Sequence, residues 1–351
     1  MNQNIKIVLT GGGTAGHVMP HLAMLPLYEK HGWQVHYLGS NGIEKKLAEN
    51  ENGVVFHQIS SGKLRRYFSW QNFADIFKVF WGFLQSIYIL LKIRPYCVFS
   101  KGGFVSVPVA WAAKLLGVRL YTHESDLTPG LATKLIAPIA DRVFCAFGTT
   151  TKYLSKYPCS VVGIPVRSGL QLGSAVHGAE LCNFKLGTPT LLVMGGSLGA
   201  QRLNEALLAA LPLLVDKMQI VHLTGIGKKI DFEHPHYRGF EYCGEELAHL
   251  LALADCVVSR AGANSIFEFL ALNKPMLLIP LELGSRGDQV HNAEYFVEQG
   301  FAMVLRESSL DDKTLLSEID QLFSRKDELK LAQKNNSLEV AASEKIFSEI
   351  S

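Results

Sequence analysis

"TGGGTAGHVMP", residues 10–20, follows an apolar run at residues 5–9, and its reading decides the fold. An apolar run that breaks into glycines before helical spacing resumes reads as strand, tight turn and helix. Gly11, Gly13 and Gly16 fit G-x-G-x-x-G, the turn of a dinucleotide-binding sheet. The third glycine is followed directly by His17, so the loop's role turns on what an imidazole does there. The pattern restarts at "LLVMGGSLGA", residues 191–200. Two strand–glycine–helix openings predict two Rossmann-like domains.

The rest of the chain agrees. Short β-branched apolar runs fall at 5–10, 35–39, 97–100, 120–123 and 143–146, then at 190–194, 220–224, 256–259, 276–280 and 303–305. Helical periodicity fills the gaps. Such alternation predicts an α/β chain of two doubly wound domains, each a parallel sheet covered on both faces. "GIPVRSGL" (163–170), with Pro165 between glycines, reads as a hinge. The expected domains are 1–164 and 165–325. The tail 326–351 is expected as a helix packing back on the first domain. Ligands of such sheets bind beyond the carboxyl ends of the strands, so two facing domains are expected to share a cleft.

Bulk properties narrow the class. The chain has 351 residues, 48% of them hydrophobic, enough for two cores. A formal charge of +2 gives no sign of nucleic acid as a partner. The six cysteines are scattered with no C-x-x-C, which indicates neither a zinc site nor a disulfide framework. The N-terminus enters a strand at once, without a basic-then-apolar leader, so secretion is not expected.

A strand turning tightly into a helix presents backbone N–H groups that favour an anion. "GGGTAGH", "GGSLGA" and "KGGFVSVP" (101–108) all qualify; tight helix–sheet packing is the other explanation for each. A dinucleotide site needs an acidic residue at the end of the second strand, and Leu38, Gly39 and Ser40 supply none, which counts against NAD. No G-K-[ST] follows the glycines, so a nucleotide P-loop is excluded as well. His17, close to a helix start, is expected to be neutral and able to accept a proton or orient a phosphate; capping or packing is its alternative role. In "SRAGANSIFEF" (259–269), Ala263 to Ser265 read as a helix start and a second phosphate seat. Glu268 lies just over a turn on, where a carboxylate can take two ribose hydroxyls. Its neighbours are apolar, so it needs a partner. Asp288 and Gln289 open a further helix, and an acceptor beside an amide suits adjacent sugar hydroxyls. Asp288 also suits an N-cap, and both roles can coexist.

The motifs "GGGTAGH", "GGFVSVP", "HESD", "GIPVR", "GGSLGA", "SRAGANSIFE" and "RGDQ…NA" occur in an order and spacing that resembles the MurG family, over nearly the whole chain. The resemblance implies a GT-B fold. It implies transfer of N-acetylglucosamine, with inversion, from UDP-GlcNAc to the muramoyl 4-hydroxyl of lipid I, the undecaprenyl-linked acceptor, giving lipid II for peptidoglycan. It places the nucleotide sugar on the second domain. Ser197 and the helix start at Ala263, Asn264, Ser265, Ile266 and Phe267 would face the pyrophosphate. Glu268 would hold the ribose, and Gln289 with Asp288 the sugar hydroxyls. Arg167 would contact the nucleotide, and the backbone near Gly244 the uracil edge. Thr14, Ala15, Gly16 and His17 would approach from the first domain. Two positions depart from the commoner pattern: Asp126 stands where asparagine is usual, and Gly244 where a larger apolar residue is usual.

An inverting transfer needs a base for the attacking hydroxyl, with His17 the first candidate, then Asp126 or Glu124. Without a D-x-D triplet, metal-independent chemistry and no cofactor are expected, with turn amides absorbing the leaving charge. In the aromatic stretch 62–95, Phe73, Ile76, Phe77, Phe80, Leu84, Ile87, Tyr88 and Leu91 form one helical stripe, with Val79, Trp81 and Phe83 outside it. Core burial is expected to take most of the stripe, leaving an apolar edge that, with Lys63, Arg65, Arg66 and Lys78, meets an anionic membrane surface. This places the protein peripherally on the cytoplasmic face of the cell membrane. The rival readings are another GT-B enzyme using UDP-GlcNAc (a 2-epimerase, or a transferase with a different acceptor) and a nucleotide-sugar-binding protein without catalysis.

Overall fold

The computed structural model describes residues 5–62, 70–196, 199–283, 287–336 and 341–351. Ile7, Val8 and Leu9 of β1 (Lys6–Thr10) are all fully buried. A strand buried on both faces requires helices on both faces, and hence a parallel sheet. The chain follows β1 with α1 (Met19–Leu22), α2 (Leu25–Lys30), β2 (Gln34–Gly39), α3 (Ile43–Glu49), β3 (Val54–Gln58) and α4 (Trp70–Ile93). Then come β4 (Cys97–Ser100), α5 (Ser106–Leu115), β5 (Arg119–Glu124), α6 (Leu131–Ile136), β6 (Arg142–Cys145) and β7 (Cys159–Val161). These strands form one seven-stranded parallel sheet in the order β3-β2-β1-β4-β5-β6-β7. Ile7 pairs with Val35 on one side and Cys97 on the other. The strand order reverses at β1/β4, and there the loops after the two strands diverge and leave a crevice.

The second unit repeats this plan. It runs α7 (Ala175–Cys182), β8 (Thr190–Met194), α8 (Gln201–Leu214), β9 (Gln219–Leu223), β10 (Tyr237–Phe240) and α9 (Glu246–Leu253). It continues through β11 (Cys256–Ser259), α10 (Ala263–Ala271), β12 (Met276–Leu278), α11 (Asp288–Glu298), β13 (Met303–Val304), α12 (Asp312–Ser324) and α13 (Lys326–Lys334). Its six-stranded parallel sheet has the order β10-β9-β8-β11-β12-β13, with the reversal at β8/β11. Two doubly wound Rossmann-like units therefore hold two separate cores. Among the described residues the first unit takes 5–167 with 341–351, and the second takes 168–336.

The tail corrects the expectation of a single helix over 326–351. Leu329 of α13 is buried in the second unit's core. Gln333 of the same helix donates to the carbonyls of Lys274 and Phe301. Only α14 (Ala342–Ile350) returns to the first unit, where Ile346, Phe347 and Ile350 join its core. Phe347 packs among Tyr28, His31 and Trp33, and Glu349 accepts from Arg142 at 2.7 Å and Ser160 at 2.9 Å.

α4 corrects the expectation for the aromatic stripe. Most of that stripe faces outward: Ile76, Phe77, Phe80, Leu84, Tyr88 and Leu91 are exposed, Phe77 at 73% and Tyr88 at 68%, as is Trp81. The face against α5 and the sheet is instead Phe83, Ser86, Ile87, Leu90 and Ile93. The inward side also packs closely on backbone: a Cβ at Gly82 would stand 2.0 Å from the Ser60 carbonyl oxygen. The basic residues Lys63, Arg65 and Arg66 lie outside the described residues, as does the side chain of Phe73.

Truncation of Phe347 tests the docking of α14. Phe347→Ala is expected to destabilise the protein by about 3 kcal/mol, as loss of a packed aromatic does. Chemical denaturation reads this as a lower midpoint.

Candidate functional site

The turn after β1 carries the first set of predicted residues. Thr14 is exposed, and Ala15, Gly16 and His17 are half-buried in a 3₁₀ turn, Ala15–His17. His17 Nδ1 lies 2.9 Å from the Gly12 carbonyl oxygen and 3.2 Å from Thr14 Oγ1. A carbonyl only accepts, so this hydrogen bond assigns the proton to Nδ1 and the lone pair to Nε2. The imidazole pKa lies below its ordinary 6.5, first because of burial and then because of the positive charge of Lys101. The expected direction therefore holds, but the cause differs. The helix that follows, α1, has only four residues, too few for its dipole to dominate.

The second turn at this crevice follows β4 and supports the imidazole from below. Gly103 has φ +77°, and a Cβ there would stand 2.3 Å from the Gly12 carbonyl oxygen and 3.2 Å from His17 Nδ1. Only glycine lets the two turns close on each other.

Glu44, not singled out by sequence, occupies the dinucleotide corner. Its carboxylate is buried and accepts from Gly13 N at 3.2 Å, Ser40 N at 3.0 Å and the Ser40 hydroxyl. A Cβ at Gly12 would meet that carboxylate at 2.6 Å. The second strand's missing acid is thus supplied from α3, but it is spent on the protein's own amides.

At the end of β5, Glu124 accepts from Asp126 N at 3.0 Å and from Gly130 N at 2.8 Å, one bond on each oxygen. It braces the loop that enters α6. The Asp126 and Leu127 carbonyls accept from Thr150 Oγ1. Beneath this loop lies Lys101, which sequence reasoning quoted but did not weigh. Its Nζ stands 2.6 Å from His123 Nδ1 and bonds the Ser125 hydroxyl. Arg167 is half-buried at the end of the first unit.

In the second unit the corresponding crevice lies between the turns after β8 and β11. Gly199 (φ +67°) precedes α8, and a Cβ on it would stand 2.1 Å from the Thr224 carbonyl oxygen. Ser197 lies outside the described residues. The N-caps of α8 and α10, Ala200 and Gly262, place no side chain over the first-turn amides. Ala263, Asn264 and Ser265 form the first turn of α10, and Glu268 lies half-buried one turn further on. Ile266 and Phe267 continue this helix with fully buried side chains, and Ile266 N donates to the Gly262 carbonyl at 3.1 Å. Arg260, next after β11, is tied to the Ile279 carbonyl at 3.2 Å and paired with buried Glu307, which fixes the strand ends.

Asp288 is the first residue of α11, and the N-cap is Gly287, in the left-handed region; Asp288 is therefore not the cap. The Gln289 Oε1 accepts from Leu281 N at 2.9 Å, which ties the start of α11 to the segment that follows β12. Gly244 N donates to Glu246 Oε2 at 2.9 Å, ordering the backbone before α9.

Comparison with known proteins agrees with this arrangement. Residues 7–145 match the glycosyltransferase family 28 N-terminal domain, and residues 190–348 its C-terminal domain. The chain is 49% identical over 330 residues to a UDP-N-acetylglucosamine–N-acetylmuramyl-(pentapeptide) pyrophosphoryl-undecaprenol N-acetylglucosamine transferase of Geobacillus thermodenitrificans, covering 93% of this chain and 92% of that protein. Acinetobacter baumannii MurG superposes with a TM-score of 0.75 at 24% identity, over 99% of both chains. A UDP-GlcNAc 2-epimerase of Neisseria meningitidis, bound to UDP-GlcNAc, superposes at 0.68 with 14% identity over 99% of each, a likeness of fold alone.

The brace assigned to Glu124 is testable. In Glu124→Gln one of the two amide contacts loses its acceptor, at an expected cost of about 1–3 kcal/mol in stability. A general base at this position would instead lose turnover with unchanged stability, so thermal unfolding beside kinetics separates the two roles.

Proposed function

Because the chain belongs to the family 28 glycosyltransferases, and within them to the pyrophosphoryl-undecaprenol N-acetylglucosamine transferases, we propose that it converts lipid I to lipid II with UDP-GlcNAc as donor. The observation that carries this reading is the agreement of that kinship with two crevices of different chemistry. One is lined by turn amides with Glu268 and Gln289 beside them, and the other holds the titratable cluster around His17.

The donor binds on the second unit. The diphosphate lies against the first turns of α10 and α8, with Ser197 contributing from the turn before α8. N–H dipoles there are already oriented and need no rearrangement as charge builds on UDP. Glu268 holds the ribose, Gln289 donates to the sugar with Asp288 beside it, and the backbone at Gly244 meets the uracil edge. Arg167 reaches the nucleotide. The acceptor diphosphate binds at the turns after β1 and β4 of the first unit, through Thr14, Ala15 and Gly16. The muramoyl 4-oxygen attacks the anomeric carbon, and its bond to carbon forms on the face opposite the departing UDP. The old bond breaks with its electron pair on UDP, and the hydroxyl proton passes to His17 Nε2. No step requires a metal or an organic cofactor, so EDTA is expected to leave turnover unchanged.

The exposed face of α4 gives this acceptor chemistry its location. Residues 75–93 are long and apolar enough to cross a membrane by composition, yet one face is built into the first unit. The outward aromatic face, with Lys78, lies in the interface of an anionic bilayer, at the cytoplasmic face of the cell membrane.

Three measurements test the reading. His17→Ala is expected to lower kcat by about 10²–10⁴-fold with little change in the KM for UDP-GlcNAc, the range for a lost general base; unchanged turnover removes His17 from that role. Glu268→Ala is expected to raise the donor KM by about 10–100-fold, the loss of a charge-assisted hydrogen bond. In flotation with anionic vesicles the protein is expected to bind, less so in high salt, and Phe77→Ser with Trp81→Ser to weaken binding.

A further inference from the structure

One buried cation is left unused by the transfer chemistry. Lys101 is only 2% exposed, at the carboxyl end of β4 where the first sheet's strand order reverses. Its N–H bonds the Thr10 carbonyl at 2.8 Å, tying it to the end of β1. His123 Nε2 donates to the Gly163 carbonyl at 2.7 Å, so His123 Nδ1 carries the lone pair and accepts from the lysine. Ser125, two residues on, accepts from the same ammonium.

A buried ammonium is strongly disfavoured unless it is paired. Burial pulls the Lys101 pKa down to about 7, while the carboxylates of Glu124 and then Asp126 push it back up. In turn, the lysine's charge disfavours protonation of His17, His21 and His123, against the opposite pull of Glu124 and Glu44 on His17. The lysine thus stands between the turn that presents His17 and the acidic segment 124–126.

We propose that Lys101 is a positioning residue of the acceptor crevice: from inside the fold its ammonium fastens the segment 123–126 to the end of β4 through His123 and Ser125, and sets its positive charge beside the adjoining Asp126. On this view the lysine and the aspartate form one unit. The proposal rests on reading the turns after β1 and β4 as the acceptor site. Lys101 does not touch substrate. It acts through the placement of Asp126 and by keeping the His17 imidazole neutral.

The test uses the full chain with UDP-GlcNAc and a lipid I analogue. K101M keeps the length of the stem and removes the charge. It is expected to lower kcat/KM by about tenfold or more and to move the acid limb of the pH profile to higher pH, because His17 loses a neighbour that opposes its protonation. Adding D126N to K101M is expected to recover turnover by about threefold or more, a coupling that a space-filling lysine would not show. A second measurement needs no change at Lys101. NMR titration of its side chain is expected to show a lower pKa in D126N than in the parent, since a favourable carboxylate is gone. Unchanged Lys101 titration in D126N, or a K101M defect that leaves the acid limb in place and is untouched by D126N, overturns the proposal. Failure of the underlying functional reading looks different: His17→Ala keeps full turnover while the Lys101–Asp126 coupling persists in the titration and still supports the linked pair.

Discussion

A parallel sheet whose crossovers leave its middle strands in opposite directions cannot cover the ends of those strands. This constraint places the turn that carries His17, the turn that carries Lys101 and the start of α10. In the first sheet the uncovered place lies beyond β1 and β4, and in the second beyond β8 and β11. The strands themselves are buried on both faces and fixed by the helices around them. Their terminal turns are therefore held in place, and the backbone N–H groups of those turns form a preset field rather than one assembled on binding.

The two places differ in what surrounds the turns. Beyond β8 and β11 Arg260 is matched with the buried Glu307, and neither α8 nor α10 has a side-chain N-cap bond. Such a site favours holding a nucleotide diphosphate. Beyond β1 and β4 the crevice carries His17, Lys101, His123 and Glu124, and Glu44 takes up the Gly13 amide that a dinucleotide phosphate would use. Such a site favours moving a proton. The proposed division between donor binding on the second unit and acceptor activation on the first rests on that contrast, on two units built to one plan.

Central strands were legible from sequence because they are short apolar runs closed by glycine or a charged residue. β4, β8 and β11 fall where the pattern puts them. The strands the pattern passes over, β3, β7 and β10, all lie at sheet edges. There one side is open to solvent, and segments such as "VVFHQ" and "YRGF" mix polar and apolar residues without a clean period. α4 was legible as a helix but not in its orientation. It is apolar almost all round, and its inward side includes the approach of Gly82 to the Ser60 backbone, a contact between distant segments that no local pattern shows. The site shows the same division. Glycine turns and the starts of α10 and α11 are local and could be read. Lys101, Glu44 and His123 owe their roles to backbone and side-chain groups that other segments bring to them. Ile266 and Phe267, expected near the pyrophosphate, have fully buried side chains.

The central claim is that the crevice beyond β8 and β11 seats the sugar nucleotide. A crystal structure of the protein with UDP-GlcNAc tests it most directly. The account predicts the diphosphate against the first turn of α10, the ribose hydroxyls on the Glu268 carboxylate and the sugar within reach of Gln289. A nucleotide seated on the first unit, or on the second unit away from Glu268, contradicts it.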